Sequence, residues 1–277
     1  MAVDLPVIDA DGHLQERESD IRKYLEPPWD QRGGGLFPLD QPWDNQLFDT
    51  LGQEHIHKSF APADEVADWL KIMDEHGMEY AMLFPTLSGG ISQVWETNWA
   101  TALARAVNTL LAREYNVHTP RVQAVGVLPL QDPVAAAAEL RRAVTELGLP
   151  SFELLAAGLR FGLGDPIYDP LWAEAARLGV PLCIHGSRQT SAAVDGDRFR
   201  SFAETHCYSF TAGLLLHFTS VLWQGVPLRF PGLKLAFLEI GATWLPYYLD
   251  RMDEHWEKRG ELEAPHLPRK PSAVFRE

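Results

Sequence analysis

The chain has 277 residues, of which 46% are hydrophobic, and this length can bury the core of one large domain or two small ones. Its 24 basic residues are outnumbered by 38 acidic ones, which gives a formal net charge of −14. Because phosphate binding needs clustered Lys and Arg, this balance argues against a nucleic-acid partner. The two cysteines, Cys183 and Cys207, predict neither a disulfide framework nor a zinc–thiolate site.

Nothing in the sequence predicts a membrane partner. The longest apolar stretch, residues 213–223, is interrupted by His217 and is too short to span a bilayer. The first residues contain no basic stretch followed by a long apolar run, so no secretory signal is expected. We therefore expect a soluble protein of the reducing cytoplasm.

Six short segments are nearly continuous in hydrophobicity, as is typical of parallel strands buried on both faces. The predicted strands are Pro6–Asp9, Tyr80–Phe84, Gln123–Val127, Phe152–Ala156, Pro181–His185 and Leu233–Glu239. Amphipathic segments with helix-start and helix-stop residues lie between them. Repeated alternation of strand and helix predicts a parallel α/β fold with right-handed crossovers.

The predicted helices have recognisable ends. Asp64 is predicted to cap one helix that stops at Gly77, and Asp132 and Asp169, each followed by proline, are predicted to start two more. Further helices are predicted over Asn98–Tyr115, Phe210–Trp223 and Trp244–Lys258.

One segment, residues 26–62, is irregular and rich in Pro and Gly. A loop of this length inside a compact domain is usually a lid, the rim of a site or an assembly arm. No linker divides the chain, so we predict a single domain over residues 1–277 with this insertion.

Polar side chains that bind metals gather at the ends of the predicted strands. The first strand runs into Asp9–His13, and strict alternation would place Asp9, Asp11 and His13 on one face. A carboxylate beside an imidazole forms half of a divalent-metal site. The fifth strand ends in His185 and the sixth in Glu239, so an α/β barrel would bring these groups together at its mouth.

Arg160 follows the fourth predicted strand, where its guanidinium could hold a substrate carboxylate in a bidentate pair. The pair His55 and His57 lies in the irregular segment without a strand-end context, and we do not interpret it as a metal site.

Several segments together resemble the amidohydrolase-related proteins. This branch of the amidohydrolase superfamily includes aminocarboxymuconate-semialdehyde decarboxylase and the resorcylate decarboxylases. The resemblance covers nearly the whole chain, and its main segments are Asp9–His13, His185, residues 230–246 and residues 251–255.

The resemblance implies a TIM-type (β/α) barrel with one divalent metal at its mouth. The implied ligands are Asp11, which stands where most members have histidine, together with His13 and His185. Glu239 occupies the place of a catalytic histidine, and His206 matches a position near the site, so Glu239, Arg160 and His206 are the predicted catalytic residues. The expected metal is zinc, with manganese or iron as alternatives.

The family barrel also has a seventh and an eighth strand, the last of which ends in a metal-binding aspartate. No candidate for these two strands is present in the sequence. An open barrel would expose strand edges and core, which is unfavourable. We therefore predict a second subunit that completes the barrel, with a homo-oligomer as the other possibility and a truncated chain or a lost activity as further alternatives.

Metal-assisted hydrolysis of a small organic substrate is the first functional hypothesis, because a bound divalent metal activates water. Non-oxidative decarboxylation is the second. A non-catalytic or half-site subunit and a non-haem iron enzyme, which uses a similar His, His, carboxylate set, are the remaining alternatives.

Overall fold

A computed structural model describes residues 5–38, 61–155, 158–186 and 198–276. Residue contacts divide the chain into two compact units, Met1–Leu154 and Leu155–Glu277. The boundary between them falls inside a strand.

The first unit alternates strands and helices, as predicted. Its regular elements are β1 (Val7–Leu14), α1 (Glu18–Ile21), α2 (Pro62–His76), β2 (Met78–Pro85), α3 (Thr97–Leu110), β3 (Val122–Ala124), β4 (Gly126–Val127), α4 (Pro133–Thr145) and β5 (Phe152–Leu155). Short 3-10 turns cover Arg22–Tyr24, Trp29–Gln31 and Ser88–Gln93, and a π-helical turn, Leu111–Tyr115, extends α3.

The strand pairings described in this unit are parallel. β2 lies between β1 and β3, and β4 pairs with β5. The single strand predicted over Gln123–Val127 is therefore two, because the chain changes partner within it. The Val125 amide donates to Leu83 O at 2.9 Å, whereas the next amide, that of Gly126, donates to Ser151 O at 2.9 Å.

Two helices of the first unit, α2 and α4, begin at a proline. The predicted cap at Asp64 is wrong, because α2 begins two residues earlier at Pro62 and has Ala61 as its N-cap. Proline fits the first helical position, where no amide hydrogen is needed. The predicted cap at Asp132 is confirmed, since its side chain accepts hydrogen bonds from two backbone amides of α4.

The described residues of the second unit form two parallel strands and several helices. Its elements are α5 (Asp169–Leu178), β6 (Pro181–His185), α6 (Phe202–Trp223), α7 (Val226–Arg229), β7 (Lys234–Phe237), α8 (Trp244–Glu263) and α9 (Pro271–Phe275). β6 pairs with β7 in parallel register from Pro181 opposite Lys234 to Ile184 opposite Phe237. In the described part of this unit, no strand follows Phe237.

A hydrophobic cluster from α6, α8 and α9 forms a core of the second unit. Phe218 is its centre and makes ring contacts with Phe237, Trp244, Tyr248 and Phe275. Among the described residues, none of the helices is both long and apolar enough to cross a membrane.

Candidate metal centre

Asp11 and His13 lie within β1, which runs five residues beyond its predicted end at Asp9. Both side chains are half-buried, and the residue between them must be glycine. A Cβ atom on Gly12 would lie 2.7 Å from Leu83 Cδ2 and 2.8 Å from Trp69 Cη2. The close approach of these two side chains explains the glycine of the Asp-Gly-His sequence.

The pairing of the strand is irregular where Asp9, Asp11 and His13 were predicted to alternate. The pairing of β1 with β2 shifts register between Asp9 and Gly12, and such a shift breaks the two-residue period. Asp9 has a local role instead, because its Oδ1 atom accepts a hydrogen bond of 3.0 Å from the Asp11 amide.

His13 is supported by a polar pair that the sequence analysis missed. Its Nδ1 atom lies 3.5 Å from the hydroxyl oxygen of Thr86, and Gln15 Nε2 donates to the same oxygen at 3.3 Å. Partners of this kind on the far side of a ligating imidazole fix its orientation.

Two buried carboxylates lie behind the end of β1. Glu65 on α2 accepts a hydrogen bond of 2.7 Å from the Gln15 amide and one of 3.3 Å from Tyr115. Burial raises the pKa of Glu65 to about 7. The fully buried Glu16 accepts a hydrogen bond from the Ser88 amide, and burial raises its pKa as well.

His185, the last residue of β6, is 5% exposed. Its Nδ1 atom lies 2.6 Å from the carbonyl oxygen of Gly186. A carbonyl oxygen only accepts, so Nδ1 carries the proton in this contact, and in the neutral ring Nε2 is then the acceptor. Nε2 faces Glu239 and lies 3.6 Å from Oε2 of that carboxylate.

Glu239 lies two residues after β7, and its backbone has a φ of 60°. This left-handed conformation ends the strand before Glu239, which was predicted to be its last residue. The strand end is fixed to β6 by a hydrogen bond of 3.0 Å from the Leu238 amide to Ile184 O. The structure therefore brings His185 and Glu239 together, as the strand-end pattern predicted for this pair.

His206 lies on α6, which begins at Phe202 rather than at the predicted Phe210. The missed signal is a capping box formed by Ser201 and Glu204. The rings of His206 and Phe210 stack with centroids 4.1 Å apart, and Phe210 covers the position where a Gly186 side chain would begin.

Arg160 is exposed, and its guanidinium carbon lies 5.1 Å from the ring centroid of the adjacent Phe161. Its predicted role as a substrate clamp stays a prediction. His55 and His57 lie outside the described residues.

The donor types fit a divalent transition metal. In the first unit, Asp11 offers a carboxylate oxygen and His13 a ring nitrogen; in the second unit, Glu239 offers a carboxylate oxygen and His185 a ring nitrogen. Two imidazoles with carboxylates suit zinc, manganese or iron(II). The His185 ring is already arranged for ligation, because its Nδ1 proton is engaged with a backbone carbonyl.

Comparisons with known proteins identify the family of the chain. The amidohydrolase family profile matches residues 8–277. The chain is 31% identical over 193 residues to gamma-resorcylate decarboxylase of Rhodococcus jostii. The aligned region covers 66% of this chain and 58% of the relative. The chain spans about 60% of the length of the first curated relatives it matches.

Solved structures show the same fold. An amidohydrolase of Mycobacterium avium subsp. paratuberculosis matches with a TM-score of 0.74 at 22% identity, covering 99% of this chain and 82% of that one. A dihydroxybenzoic acid decarboxylase of Polaromonas sp., with bound manganese and the inhibitor 2-nitroresorcinol, matches with a TM-score of 0.71 at 22% identity and coverages of 98% and 76%. The predicted fold class, a TIM-type α/β barrel, is confirmed, and the chain belongs to the amidohydrolase family.

Proposed function

We propose that this protein is a metal-dependent decarboxylase that removes carbon dioxide, without an oxidant, from a small hydroxylated aromatic carboxylate. The observation that carries the proposal is the His185–Glu239 pair. A buried imidazole presents its acceptor nitrogen to a carboxylate 3.6 Å away, in a chain whose relatives include resorcylate decarboxylases.

This proposal reverses the order of the two chemistries inferred from the sequence. Hydrolysis ranked first because a metal activates water, and that argument applies to the whole superfamily. The curated relative named above is a decarboxylase, and the manganese-bound structure is of a decarboxylase as well. Decarboxylation therefore has the stronger support, and manganese replaces zinc as the expected metal.

The proposed ligands are Asp11, His13 and His185. When bound, the metal would neutralise and orient the carboxylate and phenolic oxygens of the substrate. Thr86 would hold the ring of His13, and the Gly186 carbonyl would hold the ring of His185. Arg160 is proposed to add a bidentate contact to the substrate carboxylate.

The reaction needs a proton at one ring carbon. An acid adds a proton to the carbon that bears the carboxylate, the bond to that carboxylate then breaks, and carbon dioxide leaves as the ring recovers its aromaticity. His206 is the proposed group that delivers this proton, because an imidazole is a common general acid, and Glu239 is proposed to act beside His185. The proton enters the product, so no redox partner is needed.

A decarboxylation assay in D2O tests this proposal. Full-length protein loaded with Mn2+ is incubated with 2,6-dihydroxybenzoate and related hydroxybenzoates, with esters and amides of the same acids as hydrolase substrates. We expect carbon dioxide release and one deuterium on the ring of the product. Cleavage of the esters or amides without carbon dioxide release would instead support hydrolysis and refute the proposal.

The predicted partner subunit also stays a proposal. Leu5, Val7 and Ile8, at the start of β1, are between 48% and 71% exposed, which is unusual for the apolar start of a barrel strand. A second polypeptide or a second copy of the chain would cover them. Native mass spectrometry tests this, and a stable monomer would contradict it.

A further inference from the structure

Glu239 stands where the family resemblance implies a catalytic imidazole, and a carboxylate brings a negative charge to that position. Three structural features indicate the role of Glu239. They are the proton position on His185, the distance between His185 and Glu239, and the backbone conformation of Glu239. All three lie in the second unit.

The contact between His185 and Glu239 joins two hydrogen-bond acceptors. The Nδ1 proton of His185 is engaged with the Gly186 carbonyl at 2.6 Å, so the neutral ring turns a lone pair on Nε2 toward the carboxylate. Two acceptors repel unless a cation lies between them. A contact of this kind is made by two ligands of one metal ion, or by an imidazolium and a carboxylate when the ring is protonated, and the affinity for Mn2+ separates these two cases.

The spacing also suits a shared ion. Two ligand atoms that each lie about 2.1 Å from one tetrahedral metal are about 3.4 Å apart. The observed Nε2–Oε2 distance is 3.6 Å, longer than a direct hydrogen bond between these atoms would be.

The backbone of Glu239 is held in an unfavourable conformation. A φ of 60° is rare for a residue other than Gly, Asn or Asp, because the Cβ atom approaches the backbone. Such conformations persist where the surrounding structure enforces them, and they concentrate at functional sites. Here the left-handed turn follows the last hydrogen bond to β6 and places the carboxylate against His185.

We propose that Glu239 is a metal ligand paired with His185, rather than a base that acts only on the substrate. This assignment rests on the proposed function, because it requires that the chain binds a divalent metal at His185. It distinguishes this chain from relatives with an imidazole at the position, since a carboxylate adds negative charge to the ligand set.

Two substitutions distinguish the effect of the carboxylate charge from the effect of the left-handed backbone conformation. Glu239→Gln keeps the length of the side chain and the conformational cost of the left-handed backbone but removes the charge. Glu239→Asn also removes the charge, and asparagine tolerates the left-handed conformation. His185→Gln serves as the reference for loss of the paired ligand.

The measurement is Mn2+ affinity, read from the free-ion EPR signal during titration of the full-length protein, together with the Tm of the metal-free forms. We expect Glu239→Gln and Glu239→Asn to weaken Mn2+ binding at least about 10-fold. We also expect metal-free Glu239→Asn to melt about 2 °C above Glu239→Gln, because backbone strain is relieved.

The outcomes separate this inference from the proposed function. If the wild-type chain does not bind Mn2+, or if His185→Gln binds it as tightly as wild type, both fail. If His185→Gln loses Mn2+ while Glu239→Gln binds it with wild-type affinity, the metal site stands and the ligand role of Glu239 is refuted. Wild-type Mn2+ affinity with lost decarboxylation in Glu239→Gln would assign the residue to proton transfer instead.

Discussion

Gly186 links the His185 ring to helix α6, and Gly186→Ala is the substitution that perturbs this link most directly. A Cβ atom at this position would lie 2.4 Å from Cδ1 of Phe210 and 2.9 Å from its Cε1. Carbon atoms in contact are normally about 3.5–4.0 Å apart, so either the ring or the strand end must move by about 1 Å.

The expected cost follows from that displacement. Overpacking of this kind destabilises a protein by about 1–3 kcal/mol, which lowers Tm by about 2–12 °C. The Gly186 carbonyl also accepts the Nδ1 proton of His185, so its movement misaligns the imidazole. Loss of such a supporting contact weakens metal binding by about 10–100-fold.

Thermal denaturation and Mn2+ titration of Gly186→Ala measure the two effects. Gly33→Ala is the matched control, because a Cβ atom at Gly33 meets nothing within 4 Å. In a Phe210→Ala background, Gly186→Ala should lower the free energy of unfolding by less than it does in the wild type, since the clashing ring is gone. A variant that matches Gly33→Ala in both Tm and Mn2+ affinity would refute the reasoning about this contact.

Two further perturbations test buried and half-buried carboxylates in the two units. Between about pH 4.5 and 7, the folded protein keeps a proton on Glu65 that the unfolded chain loses. The free energy of unfolding should therefore fall by an amount on the order of 3 kcal/mol as pH rises through this range. Glu65→Gln should flatten that slope in urea unfolding at pH 5 and pH 7, and an unchanged slope would show that Glu65 is not its source. Asp253 accepts hydrogen bonds of 2.9 and 2.6 Å from the amide and the hydroxyl of Ser272, so Asp253→Ala should cost about 1–2 kcal/mol. Asp250→Ala, at an exposed position on the same helix, is the control, and equal Tm values for the two variants would contradict this role.

The strand positions could be predicted because each strand is a short, nearly continuous apolar run. All six predicted positions carry strand structure, and His185 ends β6 as expected. The start of α6 was predicted eight residues too late, although Ser201 and Glu204 form a capping box that marks Phe202 as its first residue.

Other features could not be derived from local sequence. The left-handed backbone of Glu239 contradicts the preference of glutamate and is enforced by surrounding structure. The register shift after Asp9 depends on how β1 pairs with β2. The requirement for glycine at positions 12 and 186 depends on Trp69, Leu83 and Phe210, which are distant in the sequence.

The central claim is that His185 helps hold one divalent metal in each chain. Its most direct test is the Mn2+ content of full-length protein after reconstitution and removal of free metal, with the fold of each variant checked by circular dichroism. The control is His118→Gln, which alters an exposed histidine of the first unit. We predict one Mn2+ per chain in the wild type and in His118→Gln, and little in His185→Gln. Equal Mn2+ content in all three proteins would contradict the account.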